Sequence, residues 1–184
     1  MKVTLIIGGA RSGKSRLALE MARSAGGEVL FVATAEPGDD EMARRIEAHR
    51  RSRPAHWRTL EVTTGIGVRI SAAIGRAGTV VIDCVTLLVN NIFEQYKAAD
   101  EAALEKAVEA EIKGLIDCIG KTKAHFIIVT NEVGLGIIPA DRVSRLYRDL
   151  LGRANQMLAA RADEVLLMVA GIAITIKKPG TDRG

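Results

Sequence analysis

The chain has 184 residues, the length of one ordinary domain, and its 48% hydrophobic and 26% charged residues are typical of a globular protein. We expect a single domain over residues 1–178 and a polar tail at residues 179–184. The 26 basic and 22 acidic residues leave a net charge of +4, an excess that favours anionic nucleotides as ligands. One Trp, two Tyr and three Phe are too few for a surface that stacks single-stranded nucleic acid.

The apolar residues of the chain predict no membrane span. The longest apolar stretch, residues 165–176, is shorter than the roughly 20 residues that a bilayer crossing needs. We therefore expect a cytoplasmic protein with no membrane span and no nucleic-acid partner. The two cysteines, Cys84 and Cys118, lack the C-x-x-C spacing of metal sites, which favours small reduced core residues over a metal site or a disulfide.

Apolar runs typical of buried strands alternate with segments of helical spacing. In chain order, the predicted strands cover residues 3–7, 28–33, 57–62, 79–82, 124–129, 164–169 and 173–176. The predicted helices cover residues 14–25, 40–51, 66–74, 86–95, 101–119 and 141–162. This alternation predicts an α/β fold, with a mostly parallel sheet and helices on both of its faces. Only three residues separate the last two runs, which is too short for a crossover, so the last is predicted to be an antiparallel edge strand.

A phosphate-binding loop lies between the first predicted strand and the first predicted helix. Its sequence, Gly-Gly-Ala-Arg-Ser-Gly-Lys-Ser, matches the pattern G-x-x-x-x-G-K-[ST]. The glycines let backbone N–H groups point at phosphate oxygens, Lys14 neutralises the β and γ phosphates, and Ser15 offers a hydroxyl to Mg²⁺. The positive end of the helix dipole adds to this attraction. We therefore expect the chain to bind a nucleoside triphosphate. The predicted contacts in this phosphate loop are Gly8, Gly9, Ala10, Arg11, Ser12, Gly13, Lys14 and Ser15.

Polar residues follow two other predicted strands, at the edge where ligands of open α/β sheets bind. Asp83 directly follows three aliphatic residues, an arrangement typical of a carboxylate that holds Mg²⁺ near a phosphate loop. A strand-end Asp without such a role is the alternative. Thr130, Asn131 and Glu132 end the next strand in the same way. Glu132 is therefore a candidate site residue, with helix capping as the alternative.

The predicted helix at residues 40–51 is strongly basic and contains a histidine, His49. A charged run of this kind is usually a solvated face, and a lone surface histidine usually has no role. The functional alternative is a nucleophile, because an imidazole is partly neutral near pH 7 and can then attack phosphorus. Neighbouring arginines would hold the phosphates. The arginines in and just after this helix are Arg44, Arg45, Arg50, Arg51 and Arg53.

Several specific blocks occur together, nearly from one end of the chain to the other. They are residues 8–15, Ala-Thr-Ala at 33–35, the segment 39–61 around His49, Thr-Asn-Glu-Val-Gly-Leu-Gly-Ile-Ile-Pro at 130–139, and Arg145, Arg148, Asp149, Gly152, Arg153, Asn155 and Gln156 in the helix that follows. In this combination the chain resembles the bifunctional adenosylcobinamide kinase and adenosylcobinamide-phosphate guanylyltransferase family of cobalamin biosynthesis.

This resemblance implies a RecA-like sheet, a homotrimer and two reactions, with GTP, ATP, adenosylcobinamide and adenosylcobinamide phosphate as substrates. In the first reaction, a nucleoside triphosphate phosphorylates the terminal hydroxyl of the aminopropanol arm of adenosylcobinamide. In the second, the histidine that matches His49 attacks the α-phosphorus of GTP and releases pyrophosphate. It carries GMP until the substrate phosphate accepts it, which gives adenosylcobinamide-GDP. The catalytic residues implied are His49 and Lys14.

By the same match, the GTP site extends beyond the phosphate loop, whose Ser15 forms with Asp83 the predicted Mg²⁺ site. Glu61 and Asp83 are carboxylates able to accept from guanine or to hold the metal, and the residues do not decide which does which. The implied nucleotide contacts outside the loop are Thr34, Ala35, Glu36, Arg50, Arg51, Ser52, Arg53, Glu61 and Asp83.

Two other functions fit part of the sequence. A RecA-like ATPase module with the basic helix as its contact surface would explain the phosphate loop and Asp83, but leaves His49 and residues 130–156 without a purpose. A single-activity small-molecule kinase of the same fold fits everything except the setting of His49.

Overall fold

The computed structural model describes residues 2–36, 38–96, 100–178 and 180, which contain seven strands and six helices. The strands are β1 (Lys2–Gly8), β2 (Val29–Ala33), β3 (Arg58–Glu61), β4 (Thr79–Asp83), β5 (His125–Asn131), β6 (Glu164–Val169) and β7 (Ile172–Lys177). The helices are α1 (Lys14–Ala25), α2 (Asp40–Arg51), α3 (Ile66–Ala73), α4 (Val85–Gln95), α5 (Glu101–Gly120) and α6 (Arg142–Arg161). Every predicted element is confirmed, with bounds that differ by at most two residues. The predicted tail, residues 179–184, lies outside the described residues except for Gly180.

One seven-stranded sheet carries the fold, in the order β3-β2-β4-β5-β1-β6-β7. All neighbouring pairs are parallel except β6 and β7, so β7 is the predicted antiparallel edge strand. Strand β5 lies between β1, which leads into the phosphate loop, and β4, which ends in Asp83. The carboxyl ends of these three strands therefore meet at one edge of the sheet.

Helices cover both faces of the sheet, as the alternation of elements predicts. On one face, side chains of α3 to α6 such as Ile70, Leu88 and Ile112 are fully buried against the strands. On the other face, α1 packs Ala18 and Leu19 against the sheet. Burial of each Leu or Ile side chain stabilises the fold by about 1.5–3 kcal/mol. By contrast, α2 contributes no buried side chain to either cluster among the residues described.

The expectations drawn from composition are met where the structure tests them. No helix in the described ranges is both long and apolar enough to cross a membrane. Cys84 and Cys118 are free thiols and both are buried, as predicted for small core residues. Burial raises the pKa of the Cys84 thiol to about 12, so this thiol stays protonated near neutral pH.

Candidate active site

The phosphate loop is held in place by the turn between β6 and β7. A Cβ atom on Gly8 would lie 2.5 Å from the Met168 carbonyl oxygen, so no larger residue fits at that position. The N–H of Gly171 donates to the Ser12 carbonyl at 3.0 Å. Gly13, directly before α1, has a φ of +97°, a left-handed conformation that favours glycine. The two loop glycines thus permit the close packing that shapes the loop.

Lys14 is the buried cation of this loop. Its side chain turns back so that Nζ donates to the Gly9 carbonyl at 2.6 Å, and the residue is only 6% exposed. Burial lowers the pKa of Lys14, an effect that the nearby Cys84 and Asp83 groups oppose. The Ser12 hydroxyl is buried in the same loop and has no hydrogen-bond partner among the described residues. The loop therefore holds one positive charge and one unsatisfied hydroxyl in its interior.

Asp83 lies at the carboxyl end of β4 and lines the same cavity as Ser15. Its side chain is 10% exposed. Burial raises the pKa of Asp83, while His49, the nearby Ser15 hydroxyl and the charges of Arg53 and Lys14 oppose that rise. The structure thus places the two residues that the sequence predicts as metal ligands in one cavity.

His49 extends from the last turns of α2 toward this carboxylate. Its Nδ1 lies 3.7 Å from Oδ2 of Asp83, which is within ion-pair range and longer than a hydrogen bond. The His49 side chain remains 53% exposed. The backbone carbonyl of His49 accepts from the Ser52 hydroxyl at 2.8 Å. The end of α2 therefore brings an accessible imidazole to the edge of the sheet, beside Asp83.

The arginines of this region have three different settings. Arg50 forms an ion pair with Glu61, which joins α2 to β3. Arg51 pairs with Glu47 at 2.9 Å on the exposed side of α2. Arg53 lies with its guanidinium carbon 3.8 Å from the centre of the Phe31 ring.

Arg53 is the most enclosed of these arginines. Burial lowers the pKa of its guanidinium, although Arg53 stays charged because an arginine does not lose its proton in proteins. Its Nε is buried and has no hydrogen-bond partner within the described part of the chain. An arginine with an unsatisfied donor beside Asp83 and His49 is suited to bind an anion.

These groups surround one cavity of about 850 Å³ between the phosphate loop, α2 and the carboxyl ends of β4 and β5. Most of the predicted site residues line this cavity. They are Ala10, Arg11, Ser12, Gly13, Lys14, Ser15, Ala35, His49, Arg50, Arg53, Glu61 and Asp83. A smaller cavity of about 320 Å³ between α1 and α2 is lined by Ser52 and shares His49, Arg53 and Asp83 with the first.

Other predicted contacts do not line the larger cavity. They are Gly8, Gly9, Thr34, Glu36, Arg51 and Ser52. Thr34 is fully buried, and its hydroxyl donates to the Cys84 carbonyl at 2.7 Å and accepts from the Cys84 N–H at 2.9 Å. Its hydroxyl therefore joins the ends of β2 and β4, and the exposed Glu36 follows two residues later.

Glu132 does not cap the helix that follows it, which was the alternative to a role at the site; its role at the site stays a prediction. Its carboxylate accepts from the Gly134 N–H at 2.5 Å within the loop after β5, and α6 is capped instead by Asp141. Glu132 does not line the larger cavity.

Several residues that line the cavity were not predicted from the sequence. Met42 and Ile46 lie on the inner side of α2, and with His49 they have the i, i+4, i+7 spacing of a single helix face, which is a signal that the sequence contains. Thr86 and Asn131 lie where α4 begins and β5 ends. The only sequence signal for Asn131 is that it is one of three polar residues at the end of a predicted strand.

Comparison with solved structures shows the fold class. The RadB recombinase is similar with a TM-score of 0.54 at 15% identity, covering 100% of this chain and 84% of the recombinase chain. A protein from Pyrococcus horikoshii OT3 is similar with a TM-score of 0.55 at 9% identity, covering 96% of this chain and 86% of that protein. These matches confirm the predicted RecA-like fold.

Comparison with curated proteins and families is more specific. The bifunctional adenosylcobalamin biosynthesis protein CobU of Escherichia coli K12 is 47% identical over 94% of this chain and 98% of its own length. The protein CobP of Pseudomonas aeruginosa, with the same description, is 39% identical over 94% of this chain and 96% of its own length. The profile of the cobinamide kinase / cobinamide phosphate guanyltransferase family matches residues 4–176. The chain therefore belongs to the cobinamide kinase / cobinamide phosphate guanyltransferase family.

Proposed function

We propose that the chain phosphorylates adenosylcobinamide and then transfers GMP from GTP to adenosylcobinamide phosphate, with both reactions in the larger cavity. The family and the names of the curated relatives support the two activities. The observation that carries the shared site is that His49 lines the same cavity as Lys14 and Asp83. In this proposal the protein acts in the cytoplasm.

The phosphate loop binds the β and γ phosphates of the nucleotide. The backbone N–H groups at the start of α1 point toward the phosphates, and the helix dipole adds to their attraction. Lys14 exchanges its contact with the Gly9 carbonyl for phosphate oxygens. The buried hydroxyl of Ser12 gains a partner in the same event. Arg50 and Arg53, on the opposite wall of the cavity, are placed to hold the remaining phosphate charge.

The residues at this edge fit Mg²⁺. Ser15 and Asp83 provide two hard oxygen donors that line the same cavity. Among the described residues, no group of three or more His, Cys, Asp or Glu side chains is arranged around a common point. A Mg²⁺ ion held by Ser15 and Asp83 would complete its coordination with phosphate and water oxygens and would neutralise phosphate charge.

In the kinase step, the terminal hydroxyl of adenosylcobinamide attacks the γ-phosphorus. A new P–O bond forms, the bond between the γ-phosphorus and the β–γ bridging oxygen breaks, and a nucleoside diphosphate leaves. Catalysis of this kind depends on positioning and on charge neutralisation. Lys14 and the loop N–H groups provide both, and the hydroxyl rather than His49 is the nucleophile.

In the guanylyl transfer step, a ring nitrogen of His49 attacks the α-phosphorus of GTP. A P–N bond forms, the bond from the α-phosphorus to the bridging oxygen breaks, and pyrophosphate leaves. A phosphate oxygen of adenosylcobinamide phosphate then attacks the same phosphorus and releases His49. Because Nδ1 faces Asp83, a proton on Nδ1 leaves Nε2 unprotonated and free to attack. The covalent intermediate divides one difficult displacement into two easier ones.

Substitution of His49 tests this proposal. We expect His49→Ala to abolish guanylyl transfer, because the nucleophile is missing, while phosphorylation of adenosylcobinamide persists. The measurement is incubation with α-labelled GTP, denaturation at alkaline pH, where phosphoramidates survive, and counting of protein-bound label. His56→Ala is the matched control, because His56 is exposed and does not line either cavity. Label retained on His49→Ala, or loss of both activities with the fold intact, would show that His49 does not carry GMP.

A further inference from the structure

We propose that Asn131 is a further catalytic residue for the kinase step, in which its carboxamide binds the phosphoryl group that is transferred. This inference rests on the proposed function, because it separates the two reactions of the shared cavity. Asn131 is the last residue of β5 and lines the larger cavity. Nothing in the sequence distinguishes Asn131 from its neighbours Thr130 and Glu132.

The position of Asn131 in the sheet is what suggests this role. Asn131 pairs in register with Gly8, the first residue of the phosphate loop, and the next N–H in the chain donates to the Gly8 carbonyl at 3.0 Å. Strand β5 also lies directly beside β4, which ends in Asp83. Asn131 therefore stands between the loop that holds the β and γ phosphates and the carboxylate that is suited to Mg²⁺.

Hydrogen bonds hold both the backbone N–H and the backbone carbonyl of Asn131. Its N–H donates to the Thr86 hydroxyl at 2.7 Å, and its carbonyl accepts from the side-chain amide of Asn155 at 3.0 Å. The carbonyl oxygen of the Asn155 side chain accepts from the Thr130 hydroxyl at 2.7 Å. Tyr147 adds a hydrogen bond from its hydroxyl to the Thr86 carbonyl at 3.0 Å. Buried groups in such a network have fixed positions because each has its partner.

The side chain of Asn131, in contrast, has no hydrogen-bond partner among the described residues. The described residues make hydrogen bonds to its backbone N–H and carbonyl, and none to its carboxamide. Asn131 is partly buried and lines the cavity wall. The side chains of Thr86 and Asn155 thus hold its backbone, while its side-chain N–H₂ donor remains available to a ligand.

The chemistry of the two reactions distinguishes where such a donor acts. In the kinase step, charge is spread over the oxygens of the γ-phosphoryl group as it leaves the β phosphate, and a fixed neutral donor stabilises that charge. In guanylyl transfer, the attack takes place at the α-phosphorus, beside His49, and the γ phosphate leaves within pyrophosphate without reacting. Asn131 therefore contributes to phosphoryl transfer and not to the labelling of His49.

The test compares both reactions in Asn131→Ala. We expect kcat for phosphorylation of adenosylcobinamide, followed with γ-labelled nucleotide, to fall about 10²-fold, the cost typical of losing one such donor. The rate at which α-labelled GTP labels His49 should stay unchanged. Asn131→Asp should lower the kinase rate further, because a carboxylate repels the phosphoryl group. Asn90→Ala, an exposed asparagine of α4, is the matched control and should change neither rate.

Each other outcome has a definite meaning. An unchanged kinase rate, an equal loss of both reactions with an unchanged thermal midpoint, or a faster kinase in Asn131→Asp than in Asn131→Ala would overturn the role of Asn131. If the wild-type protein labels His49 but does not phosphorylate adenosylcobinamide, the proposed function fails instead. In that case, slow hydrolysis of the γ-labelled nucleotide, measured as labelled phosphate released to water, is compared between the wild type and the same variants.

Discussion

Lys14 shows how one residue connects the fold to both reactions. Burial of the ammonium group is unfavourable, as its lowered pKa shows, and its only hydrogen bond to the described residues is to the loop's own Gly9 carbonyl. A triphosphate offers stronger acceptors than a neutral carbonyl, since hydrogen bonds to an ionised partner are roughly twice as strong. Nucleotide binding therefore relieves an unfavourable arrangement of the free protein.

We expect Lys14→Ala to lower both the kinase and the guanylyl transfer rates by at least about 10²-fold, because both need the triphosphate held and its charge neutralised. The measurement is the rate of γ-label transfer and of His49 labelling in one preparation. Lys113→Ala provides a control that also removes a lysine, since Lys113 lies exposed on α5 and pairs with Glu109. Near-normal rates for either reaction would contradict the shared site.

Single residues were predictable from the sequence where the chemistry requires one residue type at a fixed spacing. Lys14 and Ser15 line the cavity, as predicted, because the spacing of the phosphate-loop pattern fixes where these two side chains lie. Thr34 and Asn131 show the limit of that approach. Both are polar residues after a strand, yet the hydroxyl of Thr34 turns inward to Cys84 while Asn131 lines the cavity. The direction of such a side chain depends on its contacts with neighbouring strands, and those strands lie far from it in the sequence.

At the scale of elements, α2 differs from the other helices. It places His49 and Arg50 at the site, yet it buries no side chain in the core among the residues described. Most helices in proteins are stabilised by packing of an apolar face. The stability of α2 therefore depends more on local terms, including the cap at Asp39, whose carboxylate accepts from the Met42 N–H at 2.7 Å.

We expect Asp39→Ala to reduce the labelling of His49 by up to about fivefold, because loss of such a cap costs about 1 kcal/mol of helix stability. The kinase rate should change less, since its nucleophile is not on α2. Both rates are measured with labelled nucleotide, together with the thermal midpoint. Asp100→Ala removes the equivalent cap of α5, where Asp100 accepts from the Ala103 N–H, and should spare both rates. A parallel fall of both activities in Asp39→Ala would show that α2 serves the two reactions equally.

For the whole molecule, the helices and strands were predictable because the helical spacing of apolar residues and the continuous apolar runs of buried strands are both clear in this chain. The order of the strands was not. That β5 lies between β1 and β4 depends on which strands pair, and pairing joins residues more than a hundred positions apart, such as Gly8 and Asn131. The cavity at the meeting of β1, β5 and β4 could be anticipated only in outline, from polar residues at strand ends.

Assembly is a prediction that the resemblance supplies. We expect a homotrimer in solution, with a mass three times the 19.7 kDa of the chain. The structure is compatible with burial of further surface, because Leu135 and Ile137 are 84% and 97% exposed and β7 exposes Ile172 and Ile174. Light scattering at micromolar concentration measures the mass directly, and a monomer mass there would contradict the prediction.

The stability of the whole molecule should fall at alkaline pH, in part because of Tyr147. Burial raises the pKa of its hydroxyl from 10.0 to about 12. The folded state thus keeps a proton that the unfolded state loses, so this stabilisation is complete below about pH 10 and is lost as the pH rises from about 10 to about 12. Within that window, Tyr147 contributes a slope of up to about 1.4 kcal/mol per pH unit.

We therefore expect Tyr147→Phe to flatten the fall in the free energy of unfolding across this window, measured by urea titration near pH 8, 10 and 11. Near pH 8 the variant should be less stable than the wild type by about 1 kcal/mol, since it lacks the hydrogen bond to the Thr86 carbonyl. The two stabilities should then converge as the pH rises. Tyr96→Phe, at the exposed end of α4, controls for the loss of a tyrosine elsewhere. A constant difference between wild type and Tyr147→Phe from pH 8 to 11 would show that the buried hydroxyl does not couple folding to proton binding, since only a shifted pKa makes that difference depend on pH.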